Sequence, residues 1–247
     1  MADLAERKPV RVLSRNEIEQ MLASHRLYLE TEYHDGHRAN FSSVDLTRQD
    51  FSGLDLRGIK LDRAVLRDAD FSESDLRGAN LIGTIAEQAR FDRVDLSRAR
   101  LSGANLVSAS FEKARLGRAE MEFALMDSVI LRGAHLGEAD MSGAQLDRAV
   151  LTGADLRKVN LRGAGLRAAQ LDAADLRDAR LGRAFLAGAS LRGADLRGAY
   201  LRLARLDGAD LSDANLEGAE GITQAQLDRA HLNVGTKLPE GLEDAKR

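Results

Sequence analysis

Residues 189–216 read ASLRGADLRGAYLRLARLDGADLSDANL, and the five-residue pattern of this stretch extends back to residue 39. From residue 41 to residue 216, every fifth residue is Leu, Phe or Met, and Ala86 is the one exception among 36 positions. The residue two places earlier is Ala at 27 of these 36 positions. A period of five fits neither the 3.6-residue helix nor the two-residue alternation of a continuous strand. It predicts a short extended segment followed by a corner, repeated along the chain.

Each five-residue unit has an inward side and an outward side. Residues two apart in an extended segment point to the same face, so the Ala and the Leu point inward and the residue between them points outward. The other two residues turn the chain, and Gly is frequent at the second of them, as at Gly53, Gly58 and Gly78. We expect such a chain to coil, with successive coils stacked about 4.8 Å apart.

The units Ala79-Asn80-Leu81, Ala154-Asp155-Leu156 and Ala194-Asp195-Leu196 match A(D/N)LXX, the consensus of the pentapeptide-repeat family. The chain resembles this family over residues 39–218. The resemblance implies an all-β fold, a right-handed quadrilateral β-helix with four pentapeptides in each coil. With 36 units, this solenoid would contain about nine coils.

Four phenylalanines support four-sided coils independently of the resemblance. Phe51, Phe71, Phe91 and Phe111 are each twenty residues apart, so with four units per coil their rings would stack in one interior column. Ala86 is the expected defect, because a small side chain in a large-residue position leaves a gap. Alternatively, Ile85 rotates inward through a bulge.

Segments on both sides of the repeats are predicted to close the ends of the solenoid. Ser14 and Glu17 form an S-x-x-E capping box before apolar residues at helical spacing, so we expect a helix over residues 15–31. A short helix is expected over residues 223–230. The expected organisation is therefore an N-terminal tail and capping helix at 1–38, the repeats at 39–218, and a C-terminal cap and tail at 219–247.

Composition argues against several classes of function. The sequence has no Cys, no apolar run as long as a membrane span and no signal-peptide pattern at its start, so we expect a cytoplasmic protein without disulfides or membrane contact. The net charge of −3, from 36 basic and 39 acidic residues, argues against direct nucleic-acid binding. We expect no cofactor.

The histidines offer two weak candidates for chemistry. His34 and His37 lie beside Asp35, but no further ligand is evident, so a solvated turn is favoured over a metal site. His135 would lie one coil from Asp155, yet a filled rod has no pocket to orient a catalytic triad. We therefore expect neither a metal site nor catalytic residues, and no enzymatic activity.

One outward column is rich in aspartate; at the twenty-residue spacing it contains Asp55, Asp75, Asp95, Asp155, Asp175 and Asp195. The resemblance bears on this column, because several pentapeptide-repeat proteins protect or inhibit DNA gyrase with acidic rods that imitate duplex DNA. Here, however, residues 41–218 carry 27 acidic and 26 basic side chains, and an arginine follows most of these aspartates. A ladder of exposed salt bridges, each worth little, is favoured. A DNA-mimicking, gyrase-binding protein of the quinolone-resistance type is the alternative.

A second outward column contains apolar residues. It includes Val65, Ile85, Leu125 and Phe185, with Phe123 expected beside Leu125 and with Tyr200 and Leu203 near Phe185. A contiguous exposed apolar patch indicates a contact surface, so these seven residues are the candidate surface for a protein partner. The alternative interpretation is that these are single exposed apolar residues, which are common on protein surfaces and have no binding role.

The favoured function is a non-enzymatic scaffold or interaction protein, which binds a protein partner through the sides of a rigid rod. The sequence does not identify that partner. We also expect a homodimer formed through the C-terminal end, because the end of a solenoid exposes unpaired strand edges. The resemblance supports this expectation, since gyrase-type relatives dimerise through their C-terminal ends.

Overall fold

The computed structural model describes residues 10–243. Its helices and strands are β1 (Arg11–Val12), α1 (Arg15–Glu30), β2 (Val44–Asp45) and α2 (Gln224–Leu227). The long segment between β2 and α2 is a solenoid of five-residue units, joined from coil to coil by single-residue parallel bridges. The bridges are this short because two of the five residues in every unit belong to a turn.

Between Asn40 and Glu220, each bridge joins residues twenty positions apart, so four units make one coil. Asn40 pairs with Lys60, and the same parallel pairing continues along the chain as far as Tyr200 and Glu220. The twenty-residue spacing that the phenylalanines predict is thus the spacing of the coils. The outward residues form four columns, one on each side, which we number by their first residues: face 1 begins at Asn40, face 2 at Asp45, face 3 at Asp50 and face 4 at Asp55.

Every corner contains a residue in the left-handed backbone conformation. This is the second corner residue, every fifth position from residue 43 to residue 218, and its φ lies between 53° and 69° at all 36 positions. Gly occupies 14 of them. A hydrogen bond across the corner, such as that from the Ala64 N–H to the Leu61 carbonyl at 2.9 Å, gives the pattern of a type II turn.

The preference for Asp or Asn at outward positions has a physical cause at the same corner. The outward side chain accepts a hydrogen bond from the backbone N–H two residues later; Asp45 accepts from Thr47 at 2.9 Å and Asp70 from Ser72 at 2.8 Å. Bonds between coils and across corners use the other backbone donors of the unit. The carboxylate or amide therefore satisfies the donor that remains.

The interior is filled by the small and large residues of the units, which are almost all completely buried. The predicted phenylalanine column is confirmed. The rings of Phe51, Phe71, Phe91 and Phe111 stack in sequence with centroids 4.8, 5.2 and 4.7 Å apart and planes within 15° of parallel. Offset stacking of this kind adds to the stability that burial provides.

The bulge expected at Ala86 is absent, so that form of the prediction is wrong. Ile85 stays in the ladder, bridged to Val65 in one coil and to Asn105 in the next, and Ala86 remains fully buried. The reason is that Ile85 and Ala86 both keep their regular backbone hydrogen bonds between coils, which an inward rotation of Ile85 would break. Ala86 thus lies in an interior column between Leu66 and Leu106.

α1 begins at the predicted capping box. The Ser14 hydroxyl accepts from the Glu17 N–H at 3.3 Å, and the Glu17 carboxylate accepts from the Ser14 N–H at 2.8 Å. Ile18 and His25 are buried on its inner side. His25 Nδ1 accepts a hydrogen bond from the Ala39 N–H at 3.2 Å, so α1 packs against the start of the first coil.

β1 is an element that the sequence analysis does not predict. Arg11 pairs in parallel with Val44 and Val12 with Asp45, which adds a strand before the first coil. Its signal in the sequence is the run Val10-Arg11-Val12-Leu13, in which Leu13 is buried. Two residues of alternation are too few to distinguish a strand from an irregular tail.

The C-terminal segment continues the ladder at a wider spacing. Asp210 pairs with His231 and Asn215 with Lys237, 21 and 22 residues apart instead of twenty. α2 is a single turn, shorter than predicted, with Leu227 buried. The other apolar residues that pack against the interior from this segment are Ile222, Leu232, Leu238 and Leu242.

Candidate interaction surfaces

The acidic column lies on face 4, where its residues are bridged coil to coil. Asp55, Asp75 and Asp95 form one run, and Arg115 and His135 separate it from a second run. That second run consists of Asp155, Asp175 and Asp195. The face is therefore arranged as the sequence predicts.

Five of the six aspartates are clamped by the arginine two residues later. In the first pair, Arg57 Nε and Nη2 donate to the two carboxylate oxygens of Asp55 at 2.8 and 2.7 Å. Asp95 instead accepts from Ser97 and lies 4.0 Å from Arg115. The same two-point clamp recurs in four more pairs: Asp75 with Arg77, Asp155 with Arg157, Asp175 with Arg177 and Asp195 with Arg197.

These clamps neutralise the column. Hydrogen bonds from Arg57 hold the pKa of Asp55 below its usual value, and the equivalent arginines lower the pKa of Asp155, Asp175 and Asp195. The carboxylates are ionised at neutral pH, but each has a guanidinium fixed against it by paired hydrogen bonds. Face 4 thus presents alternating charges rather than a row of free negative charge.

Neither histidine candidate gains support from the geometry. His34 Nδ1 lies 2.8 Å from the carbonyl of Thr31, and the carboxylate of Asp155 is held by Arg157 rather than by His135. Residues 10–243 contain no group of three or more His, Cys, Asp or Glu side chains that could hold a metal ion. No helix in that range is long and apolar enough to cross a membrane.

The seven candidate contact residues differ widely in exposure. Phe123 and Leu203 are 71% and 60% exposed, and Tyr200 is 39% exposed. The expectation for Val65 is wrong, since its side chain is only 6% exposed despite its outward position on face 2. Val65 lies between Asp45 and Ile85 in the ladder. Its short side chain projects little beyond these two neighbours. The half-buried members are Ile85, Leu125 and Phe185.

Two aromatic side chains lie along the rod rather than projecting from it. A Cβ atom added to Gly143 would come within 2.6 Å of the Phe123 ring, and one added to Gly182 would come within 3.2 Å of the Tyr200 ring. Each ring therefore rests on a glycine of a neighbouring coil. Side chains that already pack in the conformation used for binding lose less entropy when a partner binds.

The candidate residues form two groups rather than one patch. Phe123 and Leu203 occupy the same corner, between faces 1 and 2, but they lie four coils apart, about 19 Å along the rod. The middle group consists of Ile85, Phe123 and Leu125. The C-terminal group consists of Tyr200, Leu203 and Phe185, whose ring centroid lies 4.9 Å from the guanidinium of Arg167.

A groove of about 630 Å³ overlaps the C-terminal group, and the sequence analysis misses it. Tyr200 and Leu203 line the groove together with four arginines, Arg162, Arg180, Arg183 and Arg202. The four arginines belong to three five-residue units, one in each of three successive coils, and only the twenty-residue spacing brings these units together. The signal in the sequence is the recurrence of arginine at face 1 and its adjoining corner at intervals of about twenty residues.

The family model described as pentapeptide repeats matches the sequence in eight copies. The matched residues are 39–78, 74–112, 95–133, 104–143, 130–167, 169–208, 186–220 and 204–233. None of the curated proteins compared with the sequence matches it.

Among solved structures, the chain is similar to HetL of the cyanobacterium Nostoc sp. strain PCC 7120, a pentapeptide repeat protein involved in regulating heterocyst differentiation. The identity is 32%, the alignment covers 86% of this chain and 92% of HetL, and the TM-score is 0.34. Trypsin-treated QnrB1, a plasmid-mediated fluoroquinolone resistance protein, is 21% identical over 78% of this chain and 91% of its own, with a TM-score of 0.34. A pentapeptide repeat protein of the Arabidopsis thaliana thylakoid lumen is 26% identical over 62% and 71%, with a TM-score of 0.25.

Proposed function

This chain belongs to the pentapeptide-repeat family, and from that membership we propose that it works without catalysis, as a rigid rod that binds a protein partner through its sides. The proposal includes the finer architecture expected from the family: a right-handed, four-sided rod of about nine coils, closed by helical caps before residue 39 and after residue 218. A stack of coils that contact only their neighbours presents one preformed surface along its length.

The observation that carries this proposal is the exposure of Phe123. A phenylalanine that is 71% exposed on a chain whose other repeat-region phenylalanines are buried or half-buried contributes nothing to the packing of the interior. Leu125 and Ile85 lie on the adjoining face 2, whose outward residues between Val65 and Phe185 carry no charge. An aromatic ring beside an uncharged strip matches the composition of the centre of a protein interface.

Affinity capture tests the proposal with two variants that differ only in position. Phe123→Asp places a charge on the proposed surface, and Ala173→Asp places the same charge at a corner between faces 3 and 4, where the residue is exposed and has the same left-handed backbone. Partners captured by the wild type and by Ala173→Asp should be lost with Phe123→Asp. Retention of the same partners by Phe123→Asp, with an unchanged unfolding temperature, would contradict the proposal.

The charge pairing on face 4 argues against the alternative, a DNA-mimicking protein that binds gyrase. Duplex DNA carries one free negative charge per ~1.7 Å of its axis, whereas the aspartates of this column are paired with arginines. The similarity to QnrB1 reflects the fold. We therefore expect no effect of this chain on DNA supercoiling by gyrase, and inhibition or protection at micromolar concentration would restore the alternative.

We further propose a homodimer through the C-terminal end. Most apolar residues of the last segment pack against the interior, and the side chain left free to make such a contact is Val234, which is 89% exposed. Val12, at the other end of the rod, is 77% exposed and provides the control. Sedimentation velocity should show a dimer for the wild type and for Val12→Asp but a monomer for Val234→Asp; a monomeric wild type at tens of micromolar would rule the dimer out.

A further inference from the structure

Four arginines line one groove near the C-terminal end of the rod. They are Arg162, Arg180, Arg183 and Arg202, and with Asn160, Asp178, Gly182, Tyr200 and Leu203 they enclose about 630 Å³. We call this feature the arginine groove. It lies on face 1 and on the corner between faces 1 and 2.

The repeat explains how these residues meet. Asn160, Arg180 and Tyr200 are the outward residues of face 1 in three successive coils, and the remaining arginines lie at the adjoining corner of the same coils. Three coils extend about 10 Å along the rod. Gly182 is buried beneath the Tyr200 ring, so the absence of a side chain there lets the ring form one wall of the groove.

The charges of the arginine groove are unbalanced. Most arginines of the chain form ion pairs, as face 4 illustrates. Within residues 10–243, the side chains of the four groove arginines make no ion pair within 4.0 Å and no hydrogen bond. Asp178 is the single acidic residue among those that line the groove. A local excess of positive charge therefore faces solvent on a chain whose net charge is −3.

The groove suits a short ligand rather than a long polyanion. Guanidinium groups bind carboxylates and phosphates through paired hydrogen bonds, and an extended peptide needs only three or four residues to span about 10 Å. Beyond the groove, face 1 becomes acidic: Asp140 lies one coil before Asn160, and Glu220 lies one coil after Tyr200. A nucleic acid would meet repulsion at both ends, whereas single-strand binding proteins present a continuous basic track.

We propose that the arginine groove binds a short acidic segment of a protein partner, in which carboxylates flank an apolar side chain. The carboxylates pair with the arginines, and the apolar side chain contacts Tyr200 and Leu203, which are 39% and 60% exposed. This inference rests on the proposed function in that the partner is a protein. It concerns a different part of the rod from the surface around Phe123.

Fluorescence polarisation with purified full-length chain tests the inference. The probe is a fluorescein-labelled heptapeptide, Glu-Asp-Leu-Glu-Asp-Phe-Glu, and a second peptide replaces each acid by its amide. The double variant Arg180→Glu with Arg202→Glu alters the groove. Arg63→Glu with Arg148→Glu, at exposed positions elsewhere on the rod, makes the same change in net charge. Thermal unfolding of both variants checks that they are folded.

The groove variant should bind the acidic peptide at least about tenfold more weakly than the wild type, and the control variant should bind it within about twofold. The amide peptide should bind at least about tenfold more weakly than the acidic one. Equal losses in the two variants, or no binding by the wild type, would overturn the inference. Tighter binding of a twelve-nucleotide oligo(dT) than of the peptide would replace it with a nucleic-acid site.

The Phe123→Asp chain separates this inference from the proposed function. It should bind the peptide as the wild type does, because Phe123 lies about 19 Å from Leu203 along the rod. Loss of partner capture with unchanged peptide binding therefore reports on the middle group alone. Loss of peptide binding in Phe123→Asp would show that the peptide does not occupy the arginine groove.

Discussion

At the scale of single residues, the corners combine a regular backbone with chemically varied side chains. The second corner residue is left-handed at all 36 corners, and 22 of these residues are not glycine. The left-handed conformation costs a residue with a Cβ roughly 1–2 kcal/mol. The fold tolerates this cost because almost every corner is held by hydrogen bonds within its own unit and to the next coil.

Matched alanine-to-glycine substitutions measure that cost. Ala168 is the second residue of its corner and has a φ of 53°. Ala187 is the first residue of the matching corner one coil later, and its backbone is not left-handed. Ala168→Gly should raise the free energy of unfolding by up to about 1 kcal/mol, because relief of strain outweighs the added flexibility of the unfolded chain. Ala187→Gly should lower it by a similar amount. Urea unfolding distinguishes these outcomes, and destabilisation by both substitutions would show that the corners are unstrained.

Substitution of Ala86 tests whether the interior beside this small side chain contains unfilled space. Ala86 takes the place of a large residue between Leu66 and Leu106, and the bulge that would have filled the space with Ile85 does not form. Ala86→Leu should therefore stabilise the chain by about 2 kcal/mol, the reverse of a typical cavity-forming substitution. Ala89→Leu, at a position reserved for small residues, should destabilise it by about 1–3 kcal/mol through overpacking. Destabilisation by Ala86→Leu would show that the neighbouring side chains have already closed the gap.

At the scale of elements, α1 contacts the first coil through a buried histidine. His25 Nδ1 accepts from the Ala39 N–H, which places the proton of the neutral ring on Nε2, and within residues 10–243 that atom is buried without a hydrogen-bond partner. Protonation of Nδ1 would remove the lone pair that accepts from the Ala39 N–H, and the new N–H would have no acceptor. Burial accordingly lowers the pKa of His25, while the charges that act on it are those of Asp55, Arg38 and Arg57.

The stability of the chain should therefore fall in mild acid. The unfolded chain binds a proton at His25 near pH 6.5, but the folded chain resists protonation to a lower pH, so the free energy of unfolding decreases as the pH drops below 6.5 through that window. The slope from one such group does not exceed about 1.4 kcal/mol per pH unit. In His25→Asn, whose side-chain oxygen can accept from the Ala39 N–H, this part of the pH dependence should disappear. An unchanged slope between pH 5 and 6.5 would exclude His25 as its source.

The elements also show where prediction from sequence succeeds. The period of five predicts the solenoid, the spacing of Phe51 and Phe71 predicts the interior stack, and Ser14 with Glu17 predicts the start of α1. These features depend on residues that are local in sequence or recur at one fixed interval. β1 is missed because its pairing with Val44 and Asp45 connects segments that share no pattern.

Surface properties are predicted less well, because they depend on side chains from different coils. Val65 has an outward position but is almost buried, and the Tyr200 ring packs on a glycine eighteen residues earlier. The pairing of Asp55 with Arg57 is visible in the sequence, since these residues are two apart. The arginine groove is not visible in the local sequence, because its residues come from three successive coils and lie far apart in the chain.

At the scale of the whole molecule, charge is neutralised on one side of the rod and left unbalanced on another. Face 4 pairs its aspartates with arginines, the corner between faces 1 and 2 exposes Phe123 and Leu203, and the arginine groove faces solvent near the C-terminal end. These differences between sides arise from outward residues alone, since the interior repeats almost unchanged from coil to coil. We therefore expect faces 1 and 2 to bind partners and face 4 to have a structural role.

Hydroxyl-radical footprinting of the chain, free and with its captured partner, tests that assignment most directly. In the free chain, Phe123, Tyr200 and Leu203 should be oxidised readily, because they are exposed. In the complex, oxidation of Phe123 should fall several-fold, and Tyr200 and Leu203 should be protected if the partner also reaches the arginine groove. Unchanged oxidation of Phe123 in the complex, with protection confined to residues bordering the aspartates of face 4, would contradict the account.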